Sequence, residues 1–532
     1  MTKTYTAKYY LARILTEVIY QFMLVTPDHS PSKDTIVQNL RHAIVIGSGF
    51  GGLAAAIRLS AKGYNVTVLE KLDGPGGRAY VFEDSGFVFD SGPTIVTAPW
   101  LLDELWELCG RKVDQDLDLR LLFPFYDVRF DDGSTFTLSG DYDAMNREIA
   151  KFSPKDVDNF KRFMAHSRKI YEYGFEELAN VSFDRLSAMV KAVPKIIALG
   201  GYRTVYSMVS KYIKHPKLRI ALSLHPLLIG GNPFSVTAMY CLINYLESNW
   251  GVHFVMGGTG KLVQALVGLL KRNNGQIRYN TEVDRIHIEG DQAKGVVLKS
   301  GEHIKADIVV SNADAAWTYE HLIGDKRRKR WTSGKLRRTR YSMGVFVWYF
   351  GTRRQYPDVP HHSMILGPRY KDLLADIFWR KRVPRDFSLY LHRPTATDNS
   401  MAPDGCDTFY ALVPVPHLDS GTDWAKLGPN FQEQVQERLE TTVLPDLGEN
   451  LVCSHYVTPK DFEGRFNSYK GAGFGPEPVI WQSAWFRAHN RSEEVDNLYL
   501  VGASTHPGAG IPGVLTSARV VMEGIPHACE LV

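Results

Sequence analysis

A glycine-rich turn between two short apolar runs constrains the fold of this chain more than any other feature. Residues 43–46 (AIVI) suit a buried parallel strand, and the turn at 47–52 carries glycines in the spacing GxGxxG. The alanine-rich segment 53–61 predicts a helix, and residues 66–69 predict a second strand. This order of elements is typical of a Rossmann-type domain, in which the helix N-terminus binds the pyrophosphate of a dinucleotide.

Each motif glycine, and the acid that follows the second strand, has a physical role in this interpretation. We expect Gly47 to form the tight turn, Gly49 to let the pyrophosphate approach the backbone, and Gly52 to let the helix pack on the strand. Glu70 ends the second strand, where an acid accepts hydrogen bonds from the adenosine ribose hydroxyls. The same carboxylate would repel a ribose 2′-phosphate, which disfavours NADP.

Further glycine-rich segments indicate which dinucleotide binds. The residues DGPGGR (73–78) and DSGPT (90–94) do not belong to a nicotinamide-binding domain. Residues 497–517 read NLYLVGASTHPGAGIPGVLTS, which predicts a strand, a turn and a helix with Pro512 in its first turn. The N–H groups and positive dipole end of that helix suit a delocalised negative charge, as on the N1/C2 edge of a reduced flavin.

These segments resemble those of the bacterial-type phytoene desaturases, a carotenoid desaturase family in the FAD-dependent amine oxidase-like superfamily. The resemblance extends from about residue 41 to the C-terminus and implies FAD as the cofactor. It implies that Gly77 and Arg78 lie by the FAD pyrophosphate and that Gly92 and Pro93 lie near the flavin ring. It also implies that Val283 contacts the adenine. In the C-terminal signature, the residues that it assigns to FAD binding are Gly502, Gly510, Ile511 and Gly513. Ser504 is a departure, because the family more often has glycine there.

The same resemblance implies an activity. We expect an oxidoreductase acting on CH–CH groups, which desaturates phytoene in successive steps to lycopene or neurosporene in carotenoid biosynthesis. A quinone or oxygen is the expected terminal electron acceptor. Two alternatives stay open: another carotenoid desaturase or isomerase, such as a C30 diapophytoene desaturase, and a non-redox protein that binds isoprenoid lipid on the same scaffold. An amine oxidase would need a polar or aromatic amine cage, for which the sequence offers no sign.

The catalytic residues are less evident than the cofactor site. His506 lies in the signature turn and is the first candidate for a general base, with Asp90, His225 and Glu477 as weaker candidates. Proton loss from a stabilised allylic cation needs no strong base, so we expect the cofactor and a long apolar tunnel to carry catalysis. Five cysteines are scattered without a CxxC pair or a metal-ligand spacing, which predicts reduced thiols and no metal site.

A chain of 532 residues is too long for one hydrophobic core. We therefore predict an α/β fold with a discontinuous Rossmann-type FAD-binding domain and a mixed α+β substrate lobe that contains a helical, membrane-facing part. The FAD-binding domain is expected to comprise residues 41–110, 255–312 and 485–532. The substrate lobe is expected to comprise residues 111–254 and 313–484, and residues 1–40 form an N-terminal extension and linker.

Charge patterning predicts where the protein meets other surfaces. No carboxylate occurs between Asp184 and Glu247, whereas lysines and arginines alternate there with apolar residues. This pattern is typical of helices on an anionic bilayer, so we expect residues 185–246 to hold the protein on the cytoplasmic side of the cell membrane as a peripheral protein. Residues 1–22 are a second candidate anchor, unless Met23 is the true start. No nucleic-acid-binding module accompanies the basic residues, which disfavours nucleic acid as a partner.

Overall fold

A five-stranded parallel sheet is built from segments that lie far apart in the chain. In the computed structural model, which describes residues 41–324 and 328–531, its strands stand in the order Leu498–Leu500, Ile308–Ser311, His42–Ile46, Asn65–Leu69 and Gln276–Arg278. Because the strands are parallel, their carboxyl ends share one edge, and the loops that follow them open there. The expectations for residues 1–40 lie outside the described residues.

The two faces of this sheet are covered by different elements. Ala43 and Val45 face a helical layer, whereas Ile44 and Ile46 face an antiparallel sheet, as the two-residue period of a strand requires. The helical layer contains Phe50–Ala61, Gly258–Arg272 and Ile511–Glu523, and the antiparallel sheet contains Val283–Glu289, Gln292–Leu298 and His303–Lys305. The first helix begins directly after Gly49, three residues before the predicted start at Leu53.

A second, seven-stranded mixed sheet is formed by strands from residues 126–138 and 344–457. Its strands stand in the order Leu451–Val457, Gly344–Thr352, Asp407–Val415, Leu389–His392, His362–Ile365, Tyr126–Arg129 and Thr135–Leu138. The pair Tyr126–Arg129 and His362–Ile365 is parallel, and the other neighbours are antiparallel. Every residue of the strand Gly344–Thr352 is buried, because the helix Trp424–Glu440 covers its outer face through contacts of Phe346 with Trp424 and Phe431.

A helical group packs against this second sheet in the same hydrophobic core. Its members are Tyr142–Phe152, Val157–Tyr171, Val205–Tyr212, Pro216–Ser223 and Leu242–Trp250. The helix Leu186–Ala198 instead packs in a small separate cluster with Phe183. Shorter elements complete the chain: strands Val81–Asp84, Phe87–Asp90, Leu119–Leu121 and His253–Val255, and helices Trp100–Glu107, Ser333–Arg338, Tyr370–Ala375 and Pro459–Phe466.

Residues from 41 onward cluster as one compact unit. The division into an FAD-binding domain and a substrate lobe therefore stays a prediction, although each sheet draws its strands from the segments assigned to one of the two. Within residues 41–324 and 328–531, every helix is too short or too polar to cross a membrane.

Candidate functional site

A cavity of about 570 Å³ lies at the carboxyl edge of the parallel sheet and extends to the seven-stranded sheet. It brings together nearly all of the residues that the sequence assigned to the cofactor. Those that line it are Gly47, Gly49, Glu70, Gly77, Arg78, Gly92, Pro93, Val283, Gly502, Gly510, Ile511 and Gly513. Gly52 does not line the cavity, which agrees with its expected role in packing rather than in contact with the nucleotide.

Close backbone contacts explain why glycine occupies three of these positions. A Cβ on Gly52 would lie 2.1 Å from the carbonyl oxygen of Gly47, so only glycine lets the helix reach the turn. A Cβ on Gly92 would lie 2.0 Å from the carbonyl oxygen of Arg78, and one on Gly513 would lie 2.5 Å from that of Gly508. These glycines hold the loops around the cavity at contact distance.

Asn312 is a site residue that the sequence reasoning did not single out. It follows the strand Ile308–Ser311, so its side chain emerges at the same edge as the glycine motif. A Cβ on Gly49 would lie 2.9 Å from Asn312 Nδ2, and one on Gly51 would lie 2.7 Å from Asn312 Oδ1. The position directly after a buried parallel strand was the available signal, because such positions converge on the ligand edge of a doubly wound sheet.

Glu70 has a structural role besides the one predicted for it. Its Oε2 accepts hydrogen bonds from Ser48 N at 2.8 Å and Ser48 Oγ at 2.7 Å, and its Oε1 accepts one from Leu72 N at 2.9 Å. The carboxylate is buried and also lines the cavity. Because a carboxylate has about four acceptor positions, Glu70 can orient the glycine turn and still accept from a ribose hydroxyl.

Arg78 offers an unsatisfied cationic group to the cavity. Its Nη2 donates to Ser468 Oγ at 2.6 Å, whereas its buried Nε has no hydrogen-bond partner among the described residues. Burial lowers the pKa of Arg78 and raises that of Asp314, which also lines the cavity. A buried donor without a partner is costly. An anionic diphosphate would remove this cost, so Arg78 fits the role expected for it.

Two helix N-termini add positive potential at the cavity. The residues around the starts of Phe50–Ala61 and Ile511–Glu523 line it, and neither helix has an acidic residue in its first turn. Pro512 stands in the first turn of the second helix. A backbone N–H at that position has no acceptor within the helix, so its absence in proline costs no hydrogen bond. With Arg78 and the glycine cradle, these termini fit the dianionic, elongated shape of FAD.

The other half of the cavity is apolar. Alternate residues of the seven-stranded sheet face it, among them Val345, Val347 and Leu412, and helical residues such as Leu228 and Leu246 close it from the opposite side. This half suits a long hydrocarbon that offers no hydrogen-bonding group.

A chain of hydroxyl groups marks the boundary between the two halves. Thr94 Oγ1 lies 2.8 Å from Tyr410 OH and 3.2 Å from Tyr390 OH. Tyr390 OH in turn lies 2.7 Å from Nδ1 of His362. Thr94, Tyr390 and Tyr410 all line the cavity, so these hydrogen bonds connect the seven-stranded sheet to the segment that contains Gly92 and Pro93.

His362 belongs to a buried cluster with His361 and His392. Nε2 of His361 lies 3.1 Å from Nε2 of His392, and Nδ1 of His361 lies 2.6 Å from Thr397 Oγ1. The three rings bring potential ligand atoms within 4.8 Å of one another, a proximity that the sequence spacing did not suggest. Burial lowers the pKa of His361 to about 3 and the pKa values of the other two well below the ordinary value. The cluster is therefore neutral near pH 7.

His506 lines the cavity, as expected from its place in the signature turn. Its Nε2 lies 3.1 Å from the carbonyl oxygen of Leu178, and its ring meets Phe183 edge-on at 4.9 Å. Burial lowers the pKa of His506 to about 4. The ring is therefore neutral near pH 7, and its contact with Leu178 ties the signature turn to the helical group.

The weaker base candidates separate into structural and cavity residues. Asp90 Oδ1 accepts from Gly260 N at 3.3 Å at the start of a helix, and burial raises the pKa of Asp90 to about 6. Glu477 pairs with Arg340 at 2.6 Å. Neither acid contributes to the cavity lining, whereas His225 does. Of these three candidates, His225 alone lines the cavity.

Arg487 supports the signature turn from behind and was not singled out from sequence. Its Nη2 donates to the carbonyl oxygen of Ala503 at 2.8 Å, and its Nε donates to that of Ser504 at 3.2 Å. Ser504, the departure from the family pattern, donates from Oγ to Asp314 Oδ2 at 3.1 Å. The serine hydroxyl therefore links the signature turn to the loop after the strand Ile308–Ser311.

Known proteins provide an independent comparison. The family model described as flavin containing amine oxidoreductase matches residues 50–521. The chain is similar, at 48% identity over 507 residues, to a phytoene desaturase (neurosporene-forming) of Cereibacter sphaeroides, with 94% of this chain and 97% of that protein covered. A phytoene desaturase (lycopene-forming) of a Paracoccus species is 44% identical over 496 residues, with 93% and 98% covered. A solved oxidoreductase from Methanosarcina mazei shares the fold, with a TM-score of 0.63 at 18% identity and coverage of 91% and 100%.

Proposed function

The chain belongs to the flavin containing amine oxidoreductases and, within them, to the bacterial phytoene desaturases, and we propose that it removes hydrogen pairs from phytoene with FAD as the oxidant. The family, the cofactor and the class of reaction expected from the glycine-rich segments are thereby confirmed, and the C30 and non-redox alternatives are not favoured. The observation that carries the proposal is one continuous cavity with a polar, anion-binding half and an apolar half.

The apolar half accounts for the choice of substrate. Phytoene is a hydrocarbon, so a protein can hold it only by shape and by burial, which contributes roughly 25 cal/mol per Å² of apolar surface removed from water. Carboxylates, lysines and arginines on the lining are concentrated in the loops at the carboxyl edge of the parallel sheet, with Glu247 and Arg465 as exceptions. A polyene would meet aliphatic side chains along its length in this half of the cavity.

The residues of the chain position the reactants and exclude water. Bound FAD would supply the acceptor of a hydride, and thus of the two electrons that each desaturation removes. Arg78 and the two helix N-termini would hold the anionic part of the cofactor, and the hydroxyl chain from Thr94 to Tyr390 would keep the wall beside it in place. The buried start of Ile511–Glu523 would favour negative charge on a reduced flavin, which would assist reduction.

Expression in a colourless bacterium that accumulates phytoene tests this proposal. Coloured cells with neurosporene or lycopene as the extracted product are expected, since relatives of both product types are similar to this chain. Gly52→Val is the matched control, because its side chain would collide with Gly47 and prevent FAD from binding. Colourless cells that contain soluble, FAD-loaded wild-type protein would refute the desaturase function.

Membrane contact and the cytoplasmic location belong to the same proposal. Leu186, Val190, Ile197 and Tyr202 are exposed by 54–63% on and beside the helix Leu186–Ala198. The same helix contributes Met189 and Ile196 to the cavity lining. An apolar surface beside an apolar cavity supports entry of phytoene from the bilayer at this helix. A membrane-dissolved quinone, or oxygen, would then reoxidise the flavin.

The basic residues contribute less to this surface than the sequence suggested. Lys195 pairs with Glu177 at 2.9 Å, and Lys217 pairs with Asp132. Acids from outside the acid-free stretch therefore neutralise part of its charge. We assign the main part of membrane binding to the apolar side chains of the helix Leu186–Ala198, with charge as a secondary contribution.

Vesicle flotation of the full chain tests the membrane contact. Leu186→Ser combined with Val190→Ser is expected to reduce flotation on anionic and on neutral vesicles alike. Leu121→Ser is the matched control, because Leu121 is exposed by 62% but lies outside the helix Leu186–Ala198. Equal flotation of the double variant and the wild type would contradict a contact at this helix, and loss only on deletion of residues 1–22 would move it to the N-terminus.

A further inference from the structure

One carboxylate lies in the apolar half of the cavity, away from the segments that hold the nucleotide. The acidic residues that line the cavity in the described part of the chain are Glu70, Glu247, Glu282 and Asp314. Glu70, Glu282 and Asp314 belong to the loops at the carboxyl edge of the parallel sheet. Glu247 instead lies on the helix Leu242–Trp250, whose residues Leu242, Ile243 and Leu246 are apolar parts of the same wall.

Two donors from other elements hold this carboxylate in place. Tyr126 OH donates to Glu247 Oε1 at 2.9 Å, and His225 Nε2 lies 3.1 Å from Glu247 Oε2. Exposure is 4% for Glu247, 1% for His225 and 0% for Tyr126. Burial raises the pKa of Tyr126 well above its ordinary value, so its hydroxyl stays protonated and donates to the carboxylate. The three residues come from a helix, a short turn and a strand.

A buried carboxylate beside a hydrocarbon site calls for a physical reason. Removing a charge from water costs several kcal/mol, and two hydrogen bonds return only part of this. The fold does not need an ion here, because well-packed apolar residues would stabilise this wall at least as well. A positive charge that forms in the cavity during the reaction would, however, interact strongly with Glu247, because little water is present to screen it.

We infer that Glu247 is the catalytic residue on the substrate side of the cavity, where it stabilises the developing allylic cation and accepts its proton. The inference rests on the proposed function. In each step one C–H bond of phytoene breaks with transfer of a hydride, and thus of two electrons, to the flavin. The neighbouring C–H bond then gives its proton to a Glu247 oxygen, and its electron pair forms the new C=C bond. Tyr126 and His225 are positioning residues, and Glu247 releases the proton to water before the next step, which regenerates its carboxylate.

A binding experiment tests the inference without turnover. The probe is a long-chain isoprenoid tertiary amine, protonated at neutral pH, and its reference is the hydrocarbon of the same shape. Binding of each to the FAD-loaded protein is followed by the change in the flavin spectrum. We expect the wild type to bind the cation more tightly than the hydrocarbon, and Glu247→Gln to reduce this preference about tenfold or more, because an interaction with an ion is lost.

Kinetics on the same variants provide the second measurement. Glu247→Gln is expected to lower kcat about 100-fold or more with little change in KM, because general acid–base contributions are of this order. The matched control is Glu477→Gln, which neutralises a buried carboxylate that is outside the cavity lining. This control should keep both the cation preference and kcat. Full activity of FAD-loaded Glu247→Gln, or an unchanged cation preference, would overturn the inference.

Glu247→Asp keeps the experiment decisive if the glutamine variant does not fold. Aspartate retains the charge but withdraws it by one methylene from Tyr126 and His225. It should keep most of the preference for the cation and lose kcat, whereas a purely structural role predicts the reverse or no change in either. An inactive wild type would count against the desaturase function itself. An active wild type with an equally active, FAD-loaded Glu247→Gln variant would count against the role of Glu247 alone.

Discussion

Removal of the Glu70 side chain should have two effects that can be measured separately, one on the stability of the glycine turn and one on FAD binding. Glu70→Ala deletes three hydrogen bonds of 2.7–2.9 Å and leaves the buried N–H of Ser48 without an acceptor. Each bond to a charged acceptor contributes about 1.5–3 kcal/mol, and the contributions are not additive. We therefore expect about 2–4 kcal/mol less local stability before FAD binds. Loss of the ribose contact should weaken FAD binding by a further factor of about 10–100.

Hydrogen exchange resolved by peptide separates the two effects. In flavin-free protein, the peptide that contains Ser48 should exchange hydrogen at least about 30-fold faster in Glu70→Ala than in the wild type. A loss of about 2 kcal/mol in local stability corresponds to such a factor. FAD titration of the same sample gives the change in affinity. Glu289→Ala, which removes an exposed acid, should change neither quantity. Unchanged exchange at Ser48 would refute the structural role of Glu70, and unchanged FAD affinity would refute its contact with the ribose.

Three further outcomes can be checked on purified protein. Gly513→Ala should lower FAD content and the melting temperature, because its Cβ would lie 2.5 Å from the carbonyl oxygen of Gly508; full FAD content would contradict this. Arg78→Ala should weaken FAD binding, measured by titration, more than it lowers thermal stability, since Nε of Arg78 lacks a protein partner among the described residues. His361 has its pKa lowered by burial to about 3, so its stabilising effect is complete above pH 6.5 and is lost as the pH falls towards 3. His361→Gln should lower stability at pH 7 and should make the further loss between pH 6.5 and pH 4.5 smaller by about 2–3 kcal/mol, which is the share of that loss due to His361. An equal pH dependence of the unfolding free energy in urea for the variant and the wild type would contradict this.

The nucleotide half of the fold could be predicted because its signals are local. A strand, a glycine turn and a helix succeed one another within residues 42–61, so periodicity and spacing suffice. The predicted helix start at Leu53 was three residues late, since Gly51 and Gly52 lower helix propensity. In the structure their lack of a side chain is what allows the helix to begin at Phe50, close to Asn312 and Gly502.

The substrate half could not be predicted in the same detail, because distant residues form it. Tyr126 and Glu247 are 121 positions apart, and neither position carries a motif. The stretch without acids between Asp184 and Glu247 predicted basic, apolar helices on an anionic bilayer, yet Lys195 pairs with Glu177, which lies 18 positions earlier in the chain. Contacts of this kind depend on the packing of helices and strands that are not neighbours in sequence, which a pattern along the chain does not encode.

The register of the seven-stranded sheet connects these two halves in one cavity. Val345 and Val347 face the cavity, whereas Phe346 packs on the outer helix, because side chains alternate along a strand. A shift of this strand by one residue would move the large aromatic rings into the cavity and leave no room for a polyene. The outer helix prevents such a shift, since Phe346 stands against both Trp424 and Phe431. Residues far from the reacting carbons therefore determine whether a hydrocarbon can lie beside the flavin.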